Sequence, residues 1–157
     1  MALQYGVDTA ITISAASLAS NAARASAAIT TDTTKNVLGA LVEVKILTTS
    51  TAPSGNKQVA VYGYRSSDGT DYSGASSTVD NVDGTDKAIT LGAPTNLVLL
   101  GIIQLNQGAA AVTQVGVFDI SVAFGSMPPK WGIVLHNDAG TALGGTVSAS
   151  YREIYYT

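Results

Sequence analysis

Apolar residues recurring at every second position, in short runs separated by turn residues, constrain this chain more than any other feature. In the stretch 37–47, Leu38, Ala40, Val42, Val44 and Ile46 fall on one face, with Gly39, Leu41, Glu43 and Lys45 on the other. That is the pattern of a half-buried strand. Residues 59–65 put Tyr62 and Tyr64 among alternating aliphatics, and Trp131, Ile133 and Leu135 align after Pro128-Pro129, a pair that marks a strand boundary. Phe118, Ile120, Val122 and Phe124 alternate with Asp119, Ser121 and Ala123, which predicts a strand with Asp119 turned to solvent. Val147, Ala149, Tyr151 and Tyr155 oppose Ser148, Ser150 and Arg152 in the last segment. Residues 97–105 are apolar on both faces and predict a central strand covered on both sides.

Turn clusters punctuate these runs at 52–56, 67–70, 83–85, 92–96, 106–108 and 137–140. Their Asp-Gly and Asn-rich corners supply the positive φ of hairpin turns. Together they predict an all-β chain of about eight strands, folded as a two-sheet, jelly-roll-like β-sandwich. A chain of 157 residues that is 46% hydrophobic suits one domain spanning 1–157. Residues 1–35 read as an extended arm or edge strands, because the Ala-rich stretch 14–29 has no 3.6-residue stripe and is interrupted by Ser17, Ser20, Asn21 and Ser26.

Composition removes several functions. A net charge of −3 and a pI near 4.8 argue against nucleic acid, whose phosphates demand clustered Lys and Arg. Without cysteine there are no disulfides, thiolate metal sites or thiol nucleophiles. The opening Met1-Ala2-Leu3-Gln4-Tyr5 lacks the basic and apolar regions of a signal peptide, and no apolar run reaches the roughly 20 residues of a membrane span. Membrane partners and signal-directed secretion are therefore not expected.

Chemistry-bearing residues are sparse. The tetrapeptide Asp-Gly-Thr-Asp occurs at 68–71 and at 83–86, and Asp80, Asp83 and Asp86 form a weak calcium candidate. Val79 stands where the first acid of an EF-hand loop belongs, so plain turns are the simpler reading. His136 is the single histidine, and no G-x-S-x-G elbow accompanies it. Glu43 and Glu153 are too far apart in the pattern to read as a glycosidase pair. No enzyme, cofactor or resident metal is expected. Tyr62, Tyr64, Tyr72, Trp131, Tyr151, Tyr155 and Tyr156 offer rings for a sugar platform, with core or cross-strand pairing as the plainer alternative. Arg24, Tyr72, Tyr155 and Tyr156 are the interface candidates, since Tyr and Arg are enriched at hot spots. The loops 51–57 and 66–86 and the stretch 14–35 are the expected contact surfaces.

The layout resembles small β-sandwich virion proteins of tailed bacteriophages, and most closely capsid decoration (cement) proteins. The residues that carry the resemblance are Arg24-Ala25-Ser26 in an Ala/Ser/Thr-rich opening, Ala40 to Val44, the Tyr-Gly-Tyr-Arg-Ser-Ser-Asp-Gly-Thr-Asp-Tyr hairpin at 62–72, the segment 128–137, and the closing Tyr155-Tyr156-Thr157. The resemblance implies a structural protein made in the host cytoplasm and carried in the virion. It also implies a homo-oligomer (trimer or dimer) bound to the major capsid protein or other virion proteins. A tail or fibre-associated component and a carbohydrate-binding module are the alternatives.

Overall fold

The computed structural model describes residues 2–75, 78–105 and 111–157. Among them are eleven strands and one short helix: β1 (Leu3–Tyr5), β2 (Thr9–Ile11), β3 (Ala23–Ala25), β4 (Ile29–Thr30), β5 (Asn36–Leu47), β6 (Gln58–Ser66), β7 (Lys87–Ile89), β8 (Val98–Gln104), β9 (Thr113–Asp119), α1 (Ile120–Phe124), β10 (Lys130–Asp138) and β11 (Val147–Tyr156). The first sheet runs β1-β11-β5-β9, with β2 also on β11; the second runs β7-β3-β10-β6-β8, with β4 also on β10.

All pairs are antiparallel, and their nesting explains the architecture. β1 and β2 both pair with β11, β3 and β4 both with β10, then β5 pairs with β9 and β6 with β8. That is the ladder of one long hairpin, read from its open end towards its tip. Rolling the hairpin adds the pairs β5–β11 and β6–β10. With β1/β2 and β3/β4 each taken as one interrupted strand, eight strands and the short β7 remain. This is the jelly-roll arrangement of a β-sandwich.

Alternation decides what lies between the sheets. Ala40, Val42, Val44 and Ile46 of β5 are fully buried and meet Val59 and Val61 of β6 and Trp131, Ile133 and Leu135 of β10. Leu38 leaves this face because the β5–β11 register passes from Ile154↔Gly39 to Tyr155↔Val37 and skips it, a bulge on β5. A second cluster sits outside the sandwich. Tyr64 and Val134 point away from the main core and are roofed by Tyr72, Val82, Ile89 and Leu97 from the long connection 67–97. Inside it Tyr64 meets Tyr72 edge-on at 5.6 Å and donates its hydroxyl to the Ser26 carbonyl at 2.7 Å. Burial pushes the Tyr64 phenol pKa up.

Two strand expectations need correction. The alternation over 118–124 does not continue as strand: β9 stops at Asp119 and α1 follows. Asp119 is not simply turned to solvent. Its Oδ1 accepts from the Ser121 and Val122 amides as an N-cap, and Gly125, at φ 75°, ends the helix. Residues 97–105 do not form a central strand either, because β8 is the last strand of the second sheet. Its outer face leaves Leu99 50% and Ile102 44% exposed. Residues 14–29 contain no helix; β3 and β4 lie there, joined by turns and extended chain. The turn signal at 106–108 lies outside the described residues.

Candidate functional site

The repeated Asp-Gly-Thr-Asp unit is used twice for the same local purpose. Asp68 Oδ1 accepts from the amides of Thr70 and Asp71 and from the Ser66 hydroxyl. Asp83 Oδ1 accepts from the Thr85 amide and hydroxyl. Each carboxylate thus holds the turn that follows it, and Gly69 and Gly84 supply φ of +81° at the corner. Lys87, at 2.7 Å, and the Thr85 hydroxyl hold the Asp83 pKa down at about 2.

The calcium candidates are turned in three directions. Asp80 is fully buried, with Oδ1 accepting from the Gly92 amide and the Thr95 hydroxyl and Oδ2 from the Asn96 amide. Asp83 is committed to Thr85 and Lys87. Asp86 accepts from Ser14 and from Arg24 Nε at 2.7 Å. Burial alone would raise the Asp86 pKa; the Arg24 and Ser14 hydrogen bonds outweigh it and lower the value. Among the described residues no group of three metal-ligating side chains converges. The sequence clustered these aspartates, and the fold gives each its own partner.

The interface candidates divide. Arg24 is half-buried in its pair with Asp86, where it ties β3 to the residue before β7. Tyr72 is only 9% exposed, in the roof over Tyr64. Tyr155 lies under the Lys35 ammonium, 4.8 Å from the ring centre, and Tyr156 is exposed at the end of β11. Of the rings offered for a sugar platform, Tyr64 and Trp131 are fully buried, and Trp131 meets Tyr151 edge-on at 5.4 Å; Tyr62 and Tyr155 are half-buried. His136 lies half-buried on β10 between Ala23 and Ala60, and no hydrogen bond ties it to a serine or carboxylate among the described residues.

An open groove of about 500 Å³ lies beside the 66–73 hairpin, lined by Arg65, Asp71, Tyr72, Ser126, Met127 and Pro128 among others. Arg65 stacks over Phe124 and donates to its carbonyl at 3.2 Å. Its described lining holds serines and Asp71 and includes no histidine.

The most pronounced surface feature is one side of the sandwich. β8 and β9 end their respective sheets and pack beside each other, with α1 against β8. Leu99 and Ile102, on the outer face of the second sheet, are 50% and 44% exposed, and Val115 and Val117, on the outer face of the first sheet beside Lys45 and Glu43, are 50% and 60% exposed. Between Lys87 and Lys130 the sequence holds one charged residue, Asp119. Native edge strands are ordinarily short, broken or charged, which prevents unwanted pairing. The opposite edges follow that rule: β1, β2 and β7 have three residues each, Asp8 interrupts β1 and β2, and Lys87 opens β7. β8 and β9 have seven residues each and no lysine. A gap in charge along the sequence is the signal that marks this side; period-two patterning does not report it. No protein-family model matches the chain, and no curated protein matches it.

Proposed function

We propose that this protein is a non-catalytic structural component of a bacteriophage virion, a decoration protein that seats on the capsid lattice and reinforces it. The observation that carries the reading is the pair of seven-residue, lysine-free strands β8 and β9 that end the two sheets, opposite edges protected by charge and interruption. Such an edge is a liability for a free monomer and an asset for a subunit that works by association. The jelly roll suits the role, being common in viral shells. The resemblance carried by residues 24–26, 40–44, 62–72 and 128–137 supplies the virion context. Leu99 and Ile102, on the outer face of the second sheet, are the anchors for the major capsid protein, and the loops 51–57 and 66–86 are the rim.

Quantitative mass spectrometry of purified virions tests the assignment. About one copy, or about one-third of a copy, per major capsid protein is expected of a lattice-bound oligomer. A few copies per particle would move the protein to the tail, and absence from the particle would overturn the virion reading and favour a carbohydrate-binding module. Co-sedimentation with capsids tests the surface: Ile102→Asp should abolish retention while thermal melting stays close to wild type.

A further inference from the structure

We propose that a second copy of this chain closes the uncharged edge, with β9 pairing antiparallel to its own copy about a two-fold axis at Gly116. The inference concerns the chain alone and holds wherever the protein resides. Thr113–Asp119 is a seven-residue edge strand with Gly116 at its midpoint. Only a register centred there pairs all seven residues, and it extends the first sheet continuously from one copy into the other.

The side chains fit that register. Val115 and Val117, 50% and 60% exposed, share the outer face of the sheet. The two-fold sets Val115 of one copy opposite Val117 of the other, twice over, so four exposed valines become two cross-strand pairs of β-branched residues. Charge favours the same occupant. The one ionised group on the strand, Asp119, falls opposite Thr113 of the copy. The two Asp119 residues then stand about 20 Å apart at 3.4 Å per residue, roughly two Debye lengths at physiological salt. The register therefore sets no like charges against each other. The contact is isologous and closes on itself, which stops the edge from recruiting further chains.

In-chain neighbours allow a test of register as well as of association. Val115 lies beside Lys45, and Val117 beside Glu43, on β5. Light scattering after size exclusion is expected to give twice the 15.9 kDa chain mass for the wild type. Val115→Lys with Val117→Lys sets like charges opposite each other across the two-fold and should weaken dimerisation by about 100-fold or more. Val115→Glu with Val117→Lys carries as many charges, but pairs them favourably across the two-fold and with Lys45 and Glu43, and should retain the dimer. Because the chain has no cysteine, Val115→Cys with Val117→Cys gives an independent readout. Opposed residues lie about 4.5–5.5 Å apart at Cα, within disulfide reach, so oxidation should yield a covalent dimer. A monomeric wild type, a dimer that survives the double lysine variant, equal loss in both charge variants, or no covalent dimer would each overturn the proposal.

Discussion

Asp80 offers a sharp test of how the roof over the second cluster is held. Its buried carboxylate receives the Gly92 amide at 2.9 Å, the Thr95 hydroxyl at 3.0 Å and the Asn96 amide at 2.9 Å, and so fixes the chain just before β8. Asp80 also has a positive φ of 48°, which Asn tolerates nearly as well as Asp and Ala does not. Asp80→Asn therefore isolates the hydrogen bonding. It keeps one acceptor oxygen but weakens two charge-assisted bonds to neutral ones, at about 1 kcal/mol each. It also turns an NH₂ group towards the Asn96 N–H, leaving buried donors unpaired at about 1–3 kcal/mol. The expected destabilisation is about 3–5 kcal/mol, or about 6–20 °C in melting temperature for a domain of this size. Asp80→Ala should cost about 1–2 kcal/mol more, for the left-handed backbone. Urea titration gives the energy, and hydrogen exchange at Gly92 and Asn96 gives the location. An Asp80→Asn protein within about 1 kcal/mol of wild type, with those two amides still protected, would refute the reasoning.

Three further outcomes follow from the same packing. A Cβ on Gly132 would overlap the buried Tyr64 ring, whereas one on Gly145 meets nothing within 4 Å. Gly132→Ala should therefore destabilise by about 1–3 kcal/mol or more, and Gly145→Ala by far less, as thermal melting will show. Acid should unfold the protein partly through aspartates whose folded pKa is depressed, Asp32 and Asp83 to about 2 from 3.8. Their contribution is present above the unfolded value and is lost as pH falls from about 4 towards 2. Asp86 acts in the same direction, so Asp86→Asn should flatten the fall in melting temperature across that window, most clearly at low salt.

Much of the scaffold was legible in sequence because burial between two sheets imposes a period of two. The inner faces of β5, β6 and β10 follow from alternation alone, and the Asp-Gly turns from their chemistry. What alternation could not say is which strand ends a sheet. Residues 97–105 look central because both faces are apolar, yet β8 is an edge whose outer residues Leu99 and Ile102 stay exposed. Nor can seven residues separate a period of 2 from one of 3.6: Ile120 and Phe124, two steps apart on a strand, are also i and i+4 on a helix. The cap formed by Asp119 and Gly125 was the deciding signal. The roofed cluster was illegible for another reason. Tyr64, Tyr72, Val82 and Leu97 are brought together by a long connection that has no periodicity of its own.

The rolled hairpin also accounts for the side on which the surface chemistry falls. β8 and β9 are consecutive strands at the hairpin tip, and rolling leaves each as the last member of its sheet on the same side of the sandwich. The run between Lys87 and Lys130, which holds only Asp119, thereby supplies both strands that end the sheets, and its exposed apolar residues divide between the two outer faces. Among the described residues neither strand carries an ion pair; charge lies on β5 beside Val115 and Val117, as Lys45–Glu43, and otherwise in Arg24–Asp86, Lys87–Asp83, Lys35–Asp32 and the Arg152–Asp8 contact across β11 and the β1–β2 gap. The exposed pairs among them add little to stability, but they keep those edges wet and unwilling to pair. Closing the β9 edge against a copy would leave Leu99 and Ile102, on the outer face of the other sheet, free to meet a larger surface. One uncharged segment could then serve both self-pairing and attachment, provided the two contacts use opposite faces of the sandwich, as the registers of β8 and β9 require.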